Sequence, residues 1–418
     1  MILPSNVPPH VVRDFDYHRD LHLSPDPART PIQPYSDPIF WTPKSGGYWV
    51  LTRYTDISAV LRDTEHFSNA TSPTLDGKGA WPRPLIPQEL DPPEHGKYRR
   101  VFVRHLNRRT TERITTAITT RCTDRIAEFT PRGRCELMAD LARPMQYALF
   151  TALYDASHET AVRCAESTTT LLHSRDTTAR AEAGRALEEV LSELIAARPQ
   201  HGFIGTMINS DDESLTDQEM LDMAAMLALA SLDTLANSLG FAFKFLAEHP
   251  QHQHALATDP ELATAAVEEL LRLHSVANLL RTAVADRELC GMTIRSGDRI
   301  LLSPTLAHHD PHAYDAPSAA HWDRPSRNQH LAFGIGAHRC VGVALARTAL
   351  KSAITSFHAQ IPSYRIPPEA EIKTTCGVTN EIRSLPLVWT HRLDKRSGGA
   401  GGGAVGPTEV LHEPADHD

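Results

Sequence analysis

The chain has little of what would direct it to secretion, to a membrane or to nucleic acid. Its six cysteines, Cys122, Cys135, Cys164, Cys290, Cys340 and Cys376, include no C-x-x-C pair, so neither a disulfide framework nor a zinc ribbon is indicated. No long Lys/Arg run interrupts a net charge of −9, which argues against nucleic acid as a partner. The first 30 residues carry prolines and scattered charges in place of the continuous apolar core of a secretion signal. The most apolar stretch, Leu221 to Phe245, is broken by Asp222, Asp233, Asn237 and Lys244, so no membrane anchor is expected and the protein reads as cytoplasmic. There is no internal repeat. No G-x-G-x-x-G follows a strand, so no flavin or dinucleotide module is built in.

What is present is a large folding unit. With 418 residues, 41% hydrophobic and 22% charged, the chain can bury a sizeable core. Residues 1–396 are expected to form one domain, with the Pro-rich segment 1–45 on its surface and 397–418 as a flexible Gly-rich tail. A strand is predicted over 48–52 and a helix from Thr55 or Asp56. Gly and Pro then make 69–93 a long loop suited to a lid or pocket wall. Helical periodicity fills most of 94–200, 216–249 and 259–274, and Thr216 with Glu219 reads as a capping box. Short strands near 281–285, 299–302 and 385–389 complete a fold that is mainly α with small β-sheets (α+β).

The most informative stretch is Phe333-Gly334-Ile335-Gly336-Ala337-His338-Arg339-Cys340-Val341-Gly342. A glycine pair precedes a cysteine that opens a helix, where backbone N–H groups and the helix dipole favour a thiolate. The plain alternative is a Gly-rich loop before a core helix, with Cys340 buried and inert. Asp233 and Thr234 lie within an apolar helix, where an acid beside an alcohol is costly unless paired or used. Here the plain alternative has Thr234 bonded back to the Ala230 carbonyl and Asp233 facing a basic partner. Glu269-x-x-Arg272 on its own is an ordinary helix pair, and His95 to Arg100 an ordinary basic face.

Taken together, F-G-x-G-x-H-x-C-x-G, the acid-alcohol pair, E-x-x-R and H-x-x-x-R resemble the cytochrome P450 superfamily, and most of all its soluble bacterial members of the camphor-hydroxylase type. The resemblance runs from about Asp91 to Trp389. It implies a triangular helical prism with a long central helix over a haem. It implies haem b bound through Cys340, with Phe333, Gly334 and Gly342 beside it and His95, Arg99, Arg281 and His338 meeting its propionates. By the same resemblance Thr234 steadies dioxygen, the co-substrate, and Asp233 relays protons. Ser231 stands where the family usually has Gly. Glu269, Arg272 and Arg324 become a structural triad.

The pocket wall implied by the resemblance uses Arg83, Leu85, Met226, Leu229, Ala230, Val276, Ala277, Leu279, Val378 and Thr379. Most of these are apolar, which fits a small-to-medium apolar substrate such as a terpenoid, polyketide or other natural product. Electrons from NAD(P)H would arrive only indirectly, through a ferredoxin reductase and a ferredoxin. Arg99, Arg100, Arg109, Arg339 and Arg347 offer a basic docking patch for the ferredoxin, and the protein is expected to be a monomer. A peroxide-dependent haem enzyme and a non-catalytic haem sensor are the rivals. A zinc protein built on His338 and Cys340 lacks further ligands at recognisable spacing.

Overall fold

The computed structural model describes residues 3–21, 37–70, 75, 81–210, 215–325 and 327–390. The expected tail and parts of the loop 69–93 lie outside them. Helices dominate, as the periodicity requires: α1 (Tyr17–Asp20), α2 (Tyr54–Arg62), α3 (Glu94–His105), α4 (Arg108–Phe129), α5 (Arg143–Tyr154), α6 (His158–His173), α7 (Thr177–Ala196), α8 (Gly202–Ile208), α9 (Asp217–Ser231), α10 (Thr234–Glu248), α11 (Pro250–Thr258), α12 (Ala263–Leu273), α13 (Pro304–His308) and α14 (Val343–Gln360). The strands are short: β1 (Ile39–Thr42), β2 (Tyr48–Leu51), β3 (Phe67–Ser68), β4 (Arg134–Glu136), β5 (Leu279–Ala283), β6 (Arg287–Leu289), β7 (Met292–Ile294), β8 (Arg299–Leu302), β9 (Thr374–Thr375), β10 (Glu381–Ile382) and β11 (Pro386–Val388).

One five-stranded sheet, in the order β1-β2-β8-β5-β3, carries its own apolar cluster around Trp49, Leu51, Ile300 and Leu302. The helices share a larger core that runs from Trp81 to Leu387. At its centre lie α9 and α10, mostly apolar and mostly buried. Residues Asp217–Glu248 are long and apolar enough to cross a membrane by length and composition, yet 78% of the apolar window is buried inside this protein.

Thr216 caps α9 with its side chain on the Glu219 N–H, while the Glu219 carboxylate returns to the Thr216 N–H. The helical path then breaks at Asp233, whose φ of −142° and ψ of −55° leave the helical region. Gln146 of α5 donates its amide to the Leu232 carbonyl at this break, so the backbone group left over by the kink is satisfied by a side chain.

Two sequence expectations need correction. The segment 1–45, where described, is not draped over the surface: Phe15, Tyr17 and Phe40 are fully buried and β1 pairs antiparallel with β2. Proline frequency hid the aromatic and β-branched residues that make this part of the core. Second, β4 interrupts the stretch read as helical and pairs with β11, joining Cys135 to Leu387 across 252 residues.

Candidate active site

Cys340 sits after a tight loop, three residues before α14 begins. The Gly334 N–H donates to the Leu331 carbonyl (2.8 Å) and the Cys340 N–H to the Phe333 carbonyl (2.9 Å). Gly334 and Gly336 adopt φ of +63° and +77°, which L side chains disfavour. A Cβ at Gly336 would stand 2.9 Å from the Leu61 carbonyl of α2, so this glycine serves the packing of the loop against protein backbone. Gly336→Ala is expected to lower stability by about 1–3 kcal/mol or more, read as a fall in Tm, because strain and a backbone clash act together.

The Cys340 sulfur accepts the Gly342 N–H at 3.3 Å. Burial pushes the thiol up, against the opposing pull of that N–H and of the charges on Arg99 and Arg339. The thiolate-favouring groups expected from the sequence are therefore in place but weaker than desolvation, and a coordinating metal would supply the remainder. Although Cys340 lies deep among protein atoms, it keeps accessible surface, so its opening faces inward. The contrast is with Cys122 and Cys164, whose buried thiols are pushed up to about 12.

Glu268 and His330, which the sequence did not single out, hold this loop together with Arg347. Arg347 of α14 reaches Glu268 of α12 with two nitrogens, both at 2.6 Å, and lies over the Phe333 ring at 5.3 Å. His330 adds a contact to the same carboxylate at 3.1 Å. Burial alone would raise Glu268, but His330 and Arg347 outweigh it and hold the carboxyl at about 2. Arg347 is thus matched by a carboxylate inside the fold, which corrects its placement in the basic docking patch. Arg100, Arg109 and Arg339 are exposed.

Four predicted anion-binding side chains gather nearby. Arg281 on β5 is buried, donates to Asn69 and to the Leu280 carbonyl, and leaves Nε without a partner. Among the described residues no carboxylate comes within ion-pair distance of it, and burial lowers it to about 10. The His338 and His95 rings lie 4.4 Å apart. His338 is held at about 3 by burial and by the charge of Arg281, so it is neutral. Its Nδ1 faces the Asn69 amide nitrogen at 3.4 Å, which leaves the proton on Nε2, an atom with no partner among the described residues. Arg99 of α3 donates to the Arg339 carbonyl beside the cysteine. A buried cation and a buried donor left unpaired call for an anion. Haem propionates fit this need, and Cys340 fits the iron.

On α9 and α10 one row of accessible residues follows helical spacing: Met226 is half-buried, Ala230 exposed, and Thr234 and Ser238 half-buried. Met226 and Phe333 both pack against the large helical core. The Thr234 hydroxyl donates to the Ala230 carbonyl at 2.9 Å. Asp233 points away from that stripe, with Oδ1 on His173 Nε2 (2.7 Å) and on the Asn237 amide (3.0 Å) and with Oδ2 unpaired. Acid and alcohol are adjacent in sequence and carry no bond to each other. Ser231 bonds the Ala228 carbonyl at 3.3 Å.

The expected pocket residues divide. Val276–Leu279 and Val378–Thr379 run side by side, joined by the Asn278 N–H to the Val378 carbonyl (2.9 Å) and the Asn380 N–H to the Val276 carbonyl (2.7 Å). Ala277, Leu279 and Val378 keep accessible surface there, while Val276 and Leu229 are buried and Thr379 is buried with its hydroxyl unpaired. Leu85 packs into the core. Arg83 is tied to Asp222 of α9 (2.9 Å) and Glu188 of α7 (2.8 Å), and Trp81 donates to the same Asp222 (2.9 Å), which fastens the loop to both helices.

Glu269, Arg272 and Arg324 meet in a buried ion cluster behind the cysteine loop. Arg272 donates Nε and Nη2 to the two Glu269 oxygens, both at 2.9 Å, and Arg324 donates Nε to Oε1 at 2.8 Å. Among the described residues no cluster of three or more His, Cys, Asp or Glu has a metal-binding arrangement, so the zinc alternative gains nothing.

Relatives can now be set beside this geometry. The cytochrome P450 family model matches residues 139–360. A probable cytochrome P450 of Sinorhizobium fredii is 32% identical, with 93% of this chain and 97% of that protein covered. The 20-oxo-5-O-mycaminosyltylactone 23-monooxygenase of Streptomyces fradiae is 30% identical, over 82% of this chain and 84% of its own length. The crystal structure of CYP101J2 superposes with a TM-score of 0.84 at 29% identity, covering 94% of this chain and all of that one. Likeness over nearly the whole chain, with the inward-facing cysteine at its centre, makes this protein a monooxygenase that belongs to the cytochrome P450 family.

Proposed function

We propose that the protein is a ferredoxin-dependent haem-thiolate monooxygenase that hydroxylates or epoxidises a small-to-medium apolar natural product, a terpenoid or polyketide above all. The observation that carries this reading is an accessible yet deeply set Cys340 close to two buried donors without partners, Arg281 Nε and His338 Nε2. Haem b, when bound, supplies the iron at which dioxygen is activated. Cys340 ligates that iron, Arg281, His338, His95 and Arg99 hold the propionates, and Phe333, Gly334 and Gly342 border the ring. Ala277, Leu279, Val378, Met226 and Ala230 exclude water and orient the substrate by apolar contact. Thr234 holds a proton-donating hydroxyl toward the oxygen site, and Asp233 supplies the proton. NAD(P)H reaches the protein only through a ferredoxin reductase and a ferredoxin docked at Arg99, Arg100, Arg109 and Arg339. The protein works as a cytoplasmic monomer.

One observation speaks for the peroxide-dependent alternative: Thr234 is bonded to Ala230 and Asp233 to His173, as a purely structural pair would be. Thr234→Ala separates the two readings. It is expected to keep haem and cost about 1 kcal/mol of stability, while electrons that should reach product appear as hydrogen peroxide. Full coupling in Thr234→Ala, or turnover with peroxide and none with dioxygen and a reductase system, would reverse the preference. Optical titration of a terpenoid and polyketide collection against the haem protein identifies the substrate class.

A further inference from the structure

Asp233 has a partner that neither the sequence motifs nor the reading above explains. His173 is the last residue of α6, 60 positions earlier, and its side chain is only 5% exposed. Its Nε2 stands 2.7 Å from Asp233 Oδ1, and its Nδ1 stands 3.9 Å from Glu381 Oε2 on β10. Glu381 in turn accepts from Thr375 (3.1 Å) and from Arg383 Nε (3.0 Å), and the Arg383 side chain is 56% exposed. Asn237 links the same cluster to the strand, with its amide on Asp233 and its carbonyl on the Ile382 N–H (3.1 Å).

Four ionisable groups thus form a line from the kink of the central helix to solvent: Asp233, His173, Glu381 and Arg383. With the imidazole charged they sum to zero, which is what burial requires of charges. The last turn of α6 also favours a cation. Of the neighbouring cations, Arg180 of α7 is turned to the Leu171 carbonyl and Arg143 of α5 to the Arg383 carbonyl.

We propose that His173 is the positioning residue that holds Asp233 by one oxygen and supplies it with the proton it delivers, with Glu381 and Arg383 as the connection to solvent. The proposal rests on the reading of Asp233 and Thr234 as the proton-delivery pair. The proton leaves His173 Nε2 for Asp233 Oδ1. The carboxylic acid turns about its Cβ–Cγ bond and presents the proton where Oδ2 stands, the oxygen that has no partner. His173 is left neutral and Asp233 returns to carboxylate once the proton is gone. Nδ1 keeps its own proton, so the imidazolium is restored by a solvent proton taken up at Nε2 when the ring swings toward the exposed Arg383 side. An arginine or lysine in place of His173 would hold Asp233 equally well but could not give up a proton near neutral pH, which is why the residue type matters.

The direction of titration agrees. Burial alone would lower His173, but the hydrogen bond and charge of Asp233, with that of Glu381, outweigh it and raise the imidazole above its ordinary 6.5. The charged pair is therefore complete below that ordinary value and is lost as pH rises through the raised one.

The test uses the haem protein labelled with 15N-histidine and three variants, with the tightest-binding terpenoid of the optical titration as probe. His173 should titrate above 6.5 in the parent, and its pKa should fall in Asp233→Asn. Product formation should decline in the parent as pH passes through that value. His173→Gln and His173→Arg should each slow product formation on the order of 100-fold, the lower end of what a positioned proton donor contributes, with the alkaline decline gone. Rescue by His173→Arg to the parent rate would mean that a charge holding Asp233 is all that is needed, and would overturn the proposal. So would an unshifted His173 in Asp233→Asn. If Thr234→Ala stays fully coupled, the underlying assignment fails first, a separate outcome.

Discussion

Cys340→Ala is expected to abolish the thiolate-type optical spectrum of the carbon monoxide adduct and to bring dioxygen-dependent product formation to background, with the protein still folded. The expectation follows from how little Cys340 does for the fold. Its sulfur accepts one hydrogen bond, from Gly342, and its loop is held by other atoms: the Cys340 N–H on Phe333, Gly334 on Leu331, and Arg347 braced between Glu268 and Phe333. Losing that bond costs about 1 kcal/mol or less, so Tm should move by a few degrees at most. Haem content should fall without vanishing, because Arg281 and His338 still present unpaired donors to the propionates. A thiolate-type spectrum that survives the substitution would move the ligand to another sulfur. Among the remaining cysteines only Cys290 is not buried, and it sits at the turn of the β6–β7 hairpin with its thiol pushed up to about 12.

The contrast between Cys340 and Arg83 shows what the sequence carries and what it withholds. The cysteine segment was legible because its chemistry is contiguous: glycines that permit φ of +63° and +77°, a histidine and a thiol fall within ten residues. The Thr216 cap was legible for the same reason, since its partner is three residues away. The ion pairs of Arg83 were not legible because the carboxylates that claim it, Glu188 and Asp222, lie 105 and 139 residues further on, and nothing local marks them. Asn69, Glu268 and His173 were missed on the same ground. Each acts through a partner on another element, at a distance set by tertiary packing and not by helical or strand period. β1 escaped because proline content in the first 45 residues outweighed four apolar or β-branched residues that pair with β2.

Glu269→Gln is expected to be among the most damaging single substitutions in the molecule, although no part of Glu269 belongs to the reacting site. Arg272 uses all of its N–H groups: two on Glu269 and the others on the His308 (2.9 Å), Pro317 (2.7 Å) and Ala319 (3.1 Å) carbonyls. Arg324 spans the Asp315, Ala316 and Ala319 carbonyls while sharing Glu269. These contacts fix the course of 308–324, the chain leading to the cysteine loop, against α12. With glutamine at 269, two buried guanidinium groups lose the carboxylate charge they share, a loss of about 3–5 kcal/mol against a total stability of about 5–15 kcal/mol. The expected result is a large drop in Tm and in haem recovery together. Arg272→Lys should fare little better, since three donors cannot replace five. The acid limb of stability provides an independent check. Burial would raise Glu269, but Arg272 and Arg324 outweigh it and hold the carboxyl below its ordinary 4.5. Its contribution is therefore present above 4.5 and is lost as pH falls through the depressed value, so the parent should lose stability there more steeply than Glu269→Gln. Equal acid slopes in parent and variant would mean that the cluster holds its position through the carbonyl contacts alone.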